Sequence, residues 1–515
     1  MKHSYLQPII YSLLIIIGIL IGVFAGPNSQ PNNKYKNQKI NNILNLIQDH
    51  YVDTINIEDF NDKAINSLLT ELDPHSTYIS AKKFKDVEEE MQGSFSGIGV
   101  QFNIIKDSIV VVAPISGGPS ERLGIKSGDR IIEVDGEDVA SINIKNEGVI
   151  KRLRGEKGSS VQVKILRRGN KDLLDFTIIR DDIPLYSVDV STLLNNNIGY
   201  IKVNRFSATT FEEFNTGINE LLNEGMESLI LDLRGNPGGY LGMAISMSDE
   251  FLDQDNLIVY TQGRNREREN FYATKKGSLQ DTDIIILIDE GSASASEIVA
   301  GAIQDNDRGL IIGRRSFGKG LVQEQITLND GDAVRLTTQR YYTPSGRCIQ
   351  KEYGKSEKEY YTEQYLRTDT VPNDSLLFTT KKGRLVYGGG GITPDIKINR
   401  DTSVNYSQIN LMISKGWINE FCLNHSLQFQ KINSEESQEL FISNDKNQEE
   451  IYSAFLNFIK EKDKKLNVLL GEKELVYLKN LLKATVAKNI WDAKAYYKIL
   501  SEEDEFIQEA INKLN

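Results

Sequence analysis

Three Gly- and Ser-rich segments hold the residues that could do chemistry. Asp289-Glu290-Gly291-Ser292-Ala293-Ser294-Ala295-Ser296-Glu297 follows the apolar stretch Ile284–Ile288 and leads into Ile298–Ile303, which reads as a helix. A small-residue turn from strand to helix exposes a side chain at the helix N-terminus, where free N–H groups and the dipole favour developing negative charge. That setting suits a nucleophilic serine, and Ser292, Ser294 and Ser296 all compete for the part; it equally suits a plain N-cap. Leu231-Asp232-Leu233-Arg234-Gly235-Asn236-Pro237-Gly238-Gly239 ends another strand in consecutive glycines. Backbone N–H groups in such a loop can converge on one oxygen, as an oxyanion hole requires, although an ordinary βα turn looks the same.

The third segment is Phe317-Gly318-Lys319-Gly320-Leu321-Val322-Gln323. In an extended run Lys319, Leu321 and Gln323 share a face, so the amide of Gln323 can meet the lysine head. A serine needs a base, and none of the four histidines (His3, His50, His75, His425) has a recognisable triad context. A buried lysine has its charged form disfavoured by desolvation, and its neutral amine can take a serine proton. Gly318-Lys319 is not a phosphate-binding loop, because the earlier glycine and the following Ser/Thr are missing.

The elements that must position these groups follow from periodicity. Ile40, Ile43, Leu44, Ile47 and Tyr51, then Phe60, Ala64, Leu68, Leu69 and Leu72, recur at helical spacing before the breaker Asp73-Pro74-His75-Ser76. From Phe95 to Asp182 the texture is β-rich, with runs Gly99–Ile104, Ile109–Ala113, Asp129–Val134, Ser160–Leu166 and Leu174–Ile179 and helical pieces at Ser120–Leu123 and Ile144–Leu153. Between Gly199 and Gly313 strands and helices alternate, with strands expected at Tyr200–Asn204, Leu229–Leu233, Leu257–Tyr260, Ile284–Ile288 and Leu310–Ile312. Such alternation predicts an α/β domain around a buried, largely parallel sheet. Strand-like runs Leu321–Leu328 and Ala333–Tyr342 follow; Arg264–Arg268 reads as a solvated loop, and the chain after Asp401 is polar and helical.

Composition narrows the function classes. The 515 residues are 39% apolar and 26% charged, which is globular. A net charge of −12 without a long basic block argues against nucleic acid as a partner. Four histidines and two cysteines, with no HExxH, leave too few ligands for a zinc framework, so neither metal nor cofactor is expected. Ile9–Phe24 is a run of sixteen uncharged residues, about 24 Å as a helix, between a signal-peptide core and a membrane span in length. Export is therefore expected, to the periplasm or to an inner-membrane anchor facing it. Cys348 and Cys422 could pair in an oxidising compartment, but nothing in the sequence joins them.

The three segments together closely resemble the carboxyl-terminal processing (tail-specific) peptidases, which are Ser–Lys serine endopeptidases. Further signatures are Leu72-Asp73-Pro74-His75-Ser76, Gly97-Ile98-Gly99-Val100, Gln304-Asp305-Asn306, Tyr342-Thr343-Pro344-Ser345-Gly346-Arg347 and Gly391-Ile392-Thr393-Pro394-Asp395, so the likeness runs over Asn37–Ile398. The resemblance implies Ser294 as nucleophile, Lys319 as general base and Gln323 as its orienting partner. It also implies an oxyanion hole from the N–H groups of Ala295 and of Gly238 or Gly239. The implied fold is an α/β peptidase core of ClpP/crotonase-like βα layers with an inserted β-rich PDZ domain and helical N- and C-terminal regions. The boundaries are 1–34 for the signal or anchor and linker, 35–94 helical, 95–182 PDZ, 183–400 peptidase core and 401–515 helical. Within the PDZ module, Gly97, Ile98, Gly99 and Val100 would receive a peptide carboxylate, and Val149 and Leu153 would line the side-chain pocket or simply pack the core. Asp289-Glu290 departs from the family pattern, and two acids there would raise the lysine pKa.

The expected partners are unfolded or tail-exposed proteins, a membrane through an uncleaved N-terminal segment, and an adaptor or second copy through 401–515. Two other readings compete: a non-catalytic PDZ scaffold of the same fold, which the intact Ser294, Lys319 and Gln323 disfavour, and a thioester acyl transferase, which the PDZ-like insertion disfavours.

Overall fold

The computed structural model describes residues 11–17, 38–105, 107–329, 331–354, 356–367, 376–401, 403–429 and 435–515. Most of the apolar run Ile9–Phe24 lies outside these residues; 11–17 are helical, and no described helix is long and apolar enough to cross a membrane. The helices Gln38–His50 and Ile57–Thr70 belong to a unit of their own, which ends at Leu69.

The larger unit, 70–515, holds five sheets among the described residues, two of which build the core that carries Ser294 and Lys319. The first has six strands in the order Val188–Leu193, Ile198–Val203, Ser228–Asp232, Asp283–Ile288, Leu310–Gly313 and Ile396–Lys397. Every pair after the first is parallel, as the alternating pattern predicts. Side chains alternate across such strands. Leu229, Leu231, Ile284, Ile286 and Ile288 join a core with the helices Thr210–Asn223, Leu241–Asp249 and Ala295–Asp305. Ile230, Ile285, Leu287 and Ile312 face the other way, onto Phe506, Ile507 and Ala510 of the last helix, Glu505–Leu514.

The second sheet is antiparallel: Thr77–Ile79, Ala333–Tyr342, Leu257–Gly263 and Arg266–Tyr272 in that order, with Leu321–Thr327 also on Ala333–Tyr342. Two expectations are corrected here. Leu257–Tyr260 is a strand, running on to Gly263, but it leaves the parallel sheet: Tyr260 pairs with Tyr342 and Thr261 with Tyr341. Arg264–Arg268 is not a loop throughout, because Arg266 opens the exposed second strand of a hairpin with Leu257–Gly263. A polar sequence hides a strand whose two faces are both wet.

The β-rich module has its own core of Ile98, Ile109, Val111, Ile131, Val149, Val161, Ile165 and other apolar residues. Its first and last strands, Ser94–Gly97 and Asp181–Pro184, pair antiparallel, so the chain enters and leaves at one place. The helices from Ser407 to Ser501 hold a further core around Phe421, Phe455, Leu478 and Leu482.

Candidate active site

Ser294 caps the helix Ala295–Asp305 at the end of the strand Asp283–Ile288, and its φ of 55° with ψ −111° puts a non-glycine residue in the left-handed half of backbone space. A strained turn of this kind persists only where its surroundings over-determine it. The neighbouring serines are spent on that task. Ser292 and Ser296 are fully buried, their hydroxyls donating to Leu233 O (2.8 Å) and Asn236 O (3.0 Å). Ser294 alone of the three is partly exposed. The structure thus supplies the physical distinction among the three serines that the sequence lacks.

Lys319 lies just before the strand Leu321–Thr327, and its Nζ donates to Gln323 Oε1 at 2.8 Å. Gln323 Nε2 in turn donates to His75 O at 2.7 Å. The turn that presents this carbonyl is held by Asp73, whose carboxylate accepts from the N–H groups of His75 and Ser76 (both 2.8 Å) and from Ser76 Oγ (2.7 Å). Burial, with a smaller push from the Arg335 guanidinium, lowers Lys319 to about 8, although Glu297 and Asp73 pull the other way. Asp289 and Glu290 do not raise it as expected. Asp289 Oδ1 accepts from Gly235 N (2.7 Å) and Gly291 N (2.9 Å), while Glu290 pairs with Arg314 (2.9 Å) and Arg400 (3.1 Å). His75 Nε2 meets Tyr360 Oη at 2.8 Å, and burial together with the Lys319 charge lowers the imidazole to about 4.

Glu297 joins the two segments and was not singled out from the sequence. Its fully buried carboxylate accepts four hydrogen bonds: Ser316 Oγ (2.5 Å) and Gly318 N (2.7 Å) on Oε1, Ser294 N (2.8 Å) and Lys319 N (2.9 Å) on Oε2. Burial raises its pKa, and these donors oppose the rise. The signal was present as Ser294-x-x-Glu297, the spacing of a capping box. From the opposite side Tyr341 Oη donates to Ser294 O at 3.1 Å.

The glycine loop packs against the serine turn. Asn236 is fully buried; its carbonyl accepts from Ala293 N (2.9 Å) and its Nδ2 donates to Val203 O (2.9 Å). A Cβ on Gly238 would lie 2.8 Å from Ser294 Cβ and 2.9 Å from Ala295 N, so only glycine permits this approach. Gly238 N donates to Asn236 Oδ1 (2.9 Å), which removes it from the available donors. Gly239 N, and Ala295 N at the first helical position, donate to no protein acceptor among the described residues.

In the module, Ile98 O accepts from Ser120 N (3.1 Å) and Oγ (2.5 Å), and Gly99 O accepts from Ile115 N (2.9 Å). The amides of Ile98 and Gly99 are left without a backbone acceptor among the described residues. Val100 opens the edge strand Val100–Ile104, and Gly97 closes the strand paired with Asp181. Val149 is fully buried and Leu153 is 5% exposed, and both belong to the module's own core. Cys348 and Cys422 are free thiols. No group of three or more His, Cys, Asp or Glu among the described residues is placed to hold a metal ion.

Residues 197–357 match the model of Peptidase family S41 and residues 96–178 that of the PDZ domain. The carboxy-terminal processing protease CtpB of Bacillus subtilis is 36% identical over 310 residues, 60% of this chain and 64% of that protein. A photosystem II D1 C-terminal processing protease aligns in structure over 70% of this chain and 86% of its own, at 25% identity and a TM-score of 0.38. The carboxy-terminal-processing protease of Bartonella bacilliformis is 40% identical over 314 residues, 60% of this chain and 71% of that protein. The chain accordingly belongs to the carboxy-terminal processing proteases, serine-type peptidases with a PDZ domain.

Proposed function

We propose that this protein is an exported endopeptidase in which Ser294 and Lys319 form the catalytic pair and the PDZ domain selects substrates by their C-terminal tails. The observation that carries the pair is Lys319 itself: a largely buried amine, lowered to about 8, held by Gln323 and tied through Glu297 to the backbone of Ser294. Neutral Lys319 Nζ takes the Ser294 Oγ proton as the oxygen attacks the scissile carbonyl carbon. The carbonyl oxygen becomes an oxyanion facing the N–H groups of Ala295 and Gly239, donors at a helix N-terminus and a glycine loop. Collapse breaks the C–N bond, the Lys319 ammonium protonates the leaving amine, and an ester on Ser294 remains. Water, deprotonated by the again neutral Lys319, attacks that ester; Ser294 Oγ recovers its proton from the ammonium and the acid product leaves.

Tail selection is supported by the edge strand Val100–Ile104, to which a peptide can add, and by the Ile98 and Gly99 amides, which suit a terminal carboxylate. Export is supported by the apolar run Ile9–Phe24. Incubating the protein and its Ser294→Ala variant with an unfolded protein substrate tests the reading. Cleavage by the first and none by the second is expected; equal cleavage, or cleavage by neither, overturns it.

A further inference from the structure

The helix Glu505–Leu514 covers one face of the parallel sheet, and its N-cap reaches the glycine loop of the active site. Asp504 Oδ1 accepts from Phe506 N (3.0 Å) and Ile507 N (3.2 Å), capping the helix. Both Asp504 oxygens also accept from Arg234 Nη1, at 3.0 and 2.9 Å. The other edge of the same guanidinium grips Asp232, with Nε at 3.0 Å from Oδ1 and Nη2 at 2.7 Å from Oδ2, while its Cζ lies 4.7 Å from the Phe506 ring centroid. The Arg234 side chain is 17% exposed and that of Asp504 24%, so solvent screens the pair only in part. Lys202 completes the cluster, donating to Asp232 Oδ1 (3.1 Å) and to Arg234 O. Two cations face two carboxylates; without Asp504 they face one.

Arg234 is followed directly by Gly235-Asn236-Pro237-Gly238-Gly239. Its guanidinium is held by the strand end at Asp232 and by the C-terminal helix at Asp504, and a planar fork gripped on both edges has little freedom to turn. We propose that Asp504 is a positioning residue for this loop: the C-terminal helix fixes Arg234, and through it the direction of the Gly239 N–H. The effect on catalysis rests on the Ser294–Lys319 reading; the effect on the loop does not.

Asp504→Asn separates this role from plain capping, because asparagine caps helices as well as aspartate does but carries no charge for Arg234. The expected result is a kcat lower by about 10- to 100-fold with KM within about twofold, the scale of a misplaced transition-state donor. A peptide aldehyde, whose adduct with Ser294 carries the oxyanion, binds more weakly by a similar factor. Asp504→Glu recovers part of the loss. Amide hydrogen exchange at Gly235–Gly239 quickens in Asp504→Asn while exchange in the strand Asp283–Ile288 stays as in the wild type. Wild-type exchange at Gly235–Gly239 in the folded variant overturns the proposal, as does quickening spread evenly over the whole core. If the wild type cleaves nothing, as Ser294→Ala does, the Ser–Lys reading fails and the exchange measurement alone decides the role of Asp504.

Discussion

Ser294 and Lys319, 25 positions apart in the chain, donate their backbone N–H groups to the same oxygen, Oε2 of Glu297, at 2.8 and 2.9 Å. The proposed nucleophile and base are therefore registered through one carboxylate, and a shift of either segment is felt by the other.

Loss of either partner of the pair should be as damaging as loss of both, because they act as a unit. Ser294→Ala, Lys319→Ala and the double variant should each hydrolyse a fluorogenic peptide at least about 10³-fold more slowly than the wild type, with the fold retained by circular dichroism. A folded Lys319→Ala protein at near-wild-type rate would sink the assignment of the base.

Glu297→Ala removes the acceptor from four donors at once, three of them backbone N–H groups that cannot turn away. Stranded buried donors cost about 1–3 kcal/mol each before relaxation and water entry. Thermal unfolding should shift down by several degrees and peptide hydrolysis should be lost. Glu297→Gln keeps the volume but turns one acceptor into a donor facing N–H, and should lose activity with a smaller drop in melting temperature.

The pH dependence follows from the depressed lysine. Its amine must be neutral to act, so kcat/KM should rise with pH along an acid limb centred near 8. His75, already lowered to about 4, should add no step near 6.5, and His75→Ala should leave the midpoint near 8. Stability runs the same way. Between about 8 and the ordinary lysine value near 10.4 the unfolded chain binds the proton that the folded chain has released, so ΔG of unfolding increases with pH over that window. Lys319→Met should reduce that slope, with Lys351, also lowered by burial, keeping its own share, which denaturant titrations at several pH values would show.

Gln323→Glu places a carboxylate where an amide now accepts from Lys319 Nζ at 2.8 Å. An adjacent negative charge favours the ammonium, so the acid limb should move to higher pH. Gln323→Leu should instead lower kcat by about tenfold or more through lost orientation, with the midpoint displaced downward or unmoved. An upward shift in the leucine variant would contradict the arrangement.

Substrate tails provide the remaining test. Amidating the C-terminus of a full-length substrate removes the charge suited to the Ile98 and Gly99 amides and should slow its cleavage several-fold more than that of a short peptide. Equal rates for free and amidated tails would show that the PDZ domain does not read the carboxylate.

The site was legible where local sequence is enough. Gln323 could be set beside Lys319 from strand periodicity, and the turns at Ser294 and Gly238 announce themselves by composition. What stayed hidden depends on long-range contacts. Nothing in Asp73-Pro74-His75-Ser76 shows that a His75 carbonyl holds an amide 248 residues away. Nothing in the polar helices after Asp401 marks Asp504 as the partner of Arg234, 270 residues earlier. Leu257–Tyr260 was recognisable as a strand but not as a strand of the second sheet, because an apolar run carries no record of its neighbour.

The antiparallel pairing of Ser94–Gly97 with Asp181–Pro184 has a consequence for how the peptidase tolerates change. To the surrounding core, everything between those strands is a single excursion whose two ends are already fastened together. Closing a longer excursion costs only slowly more entropy, about 0.6 kcal/mol for each doubling of its length. The core is therefore nearly indifferent to the size of what it carries there, and a module of quite different bulk can occupy the position while Ser294, Lys319 and Glu297 keep their register.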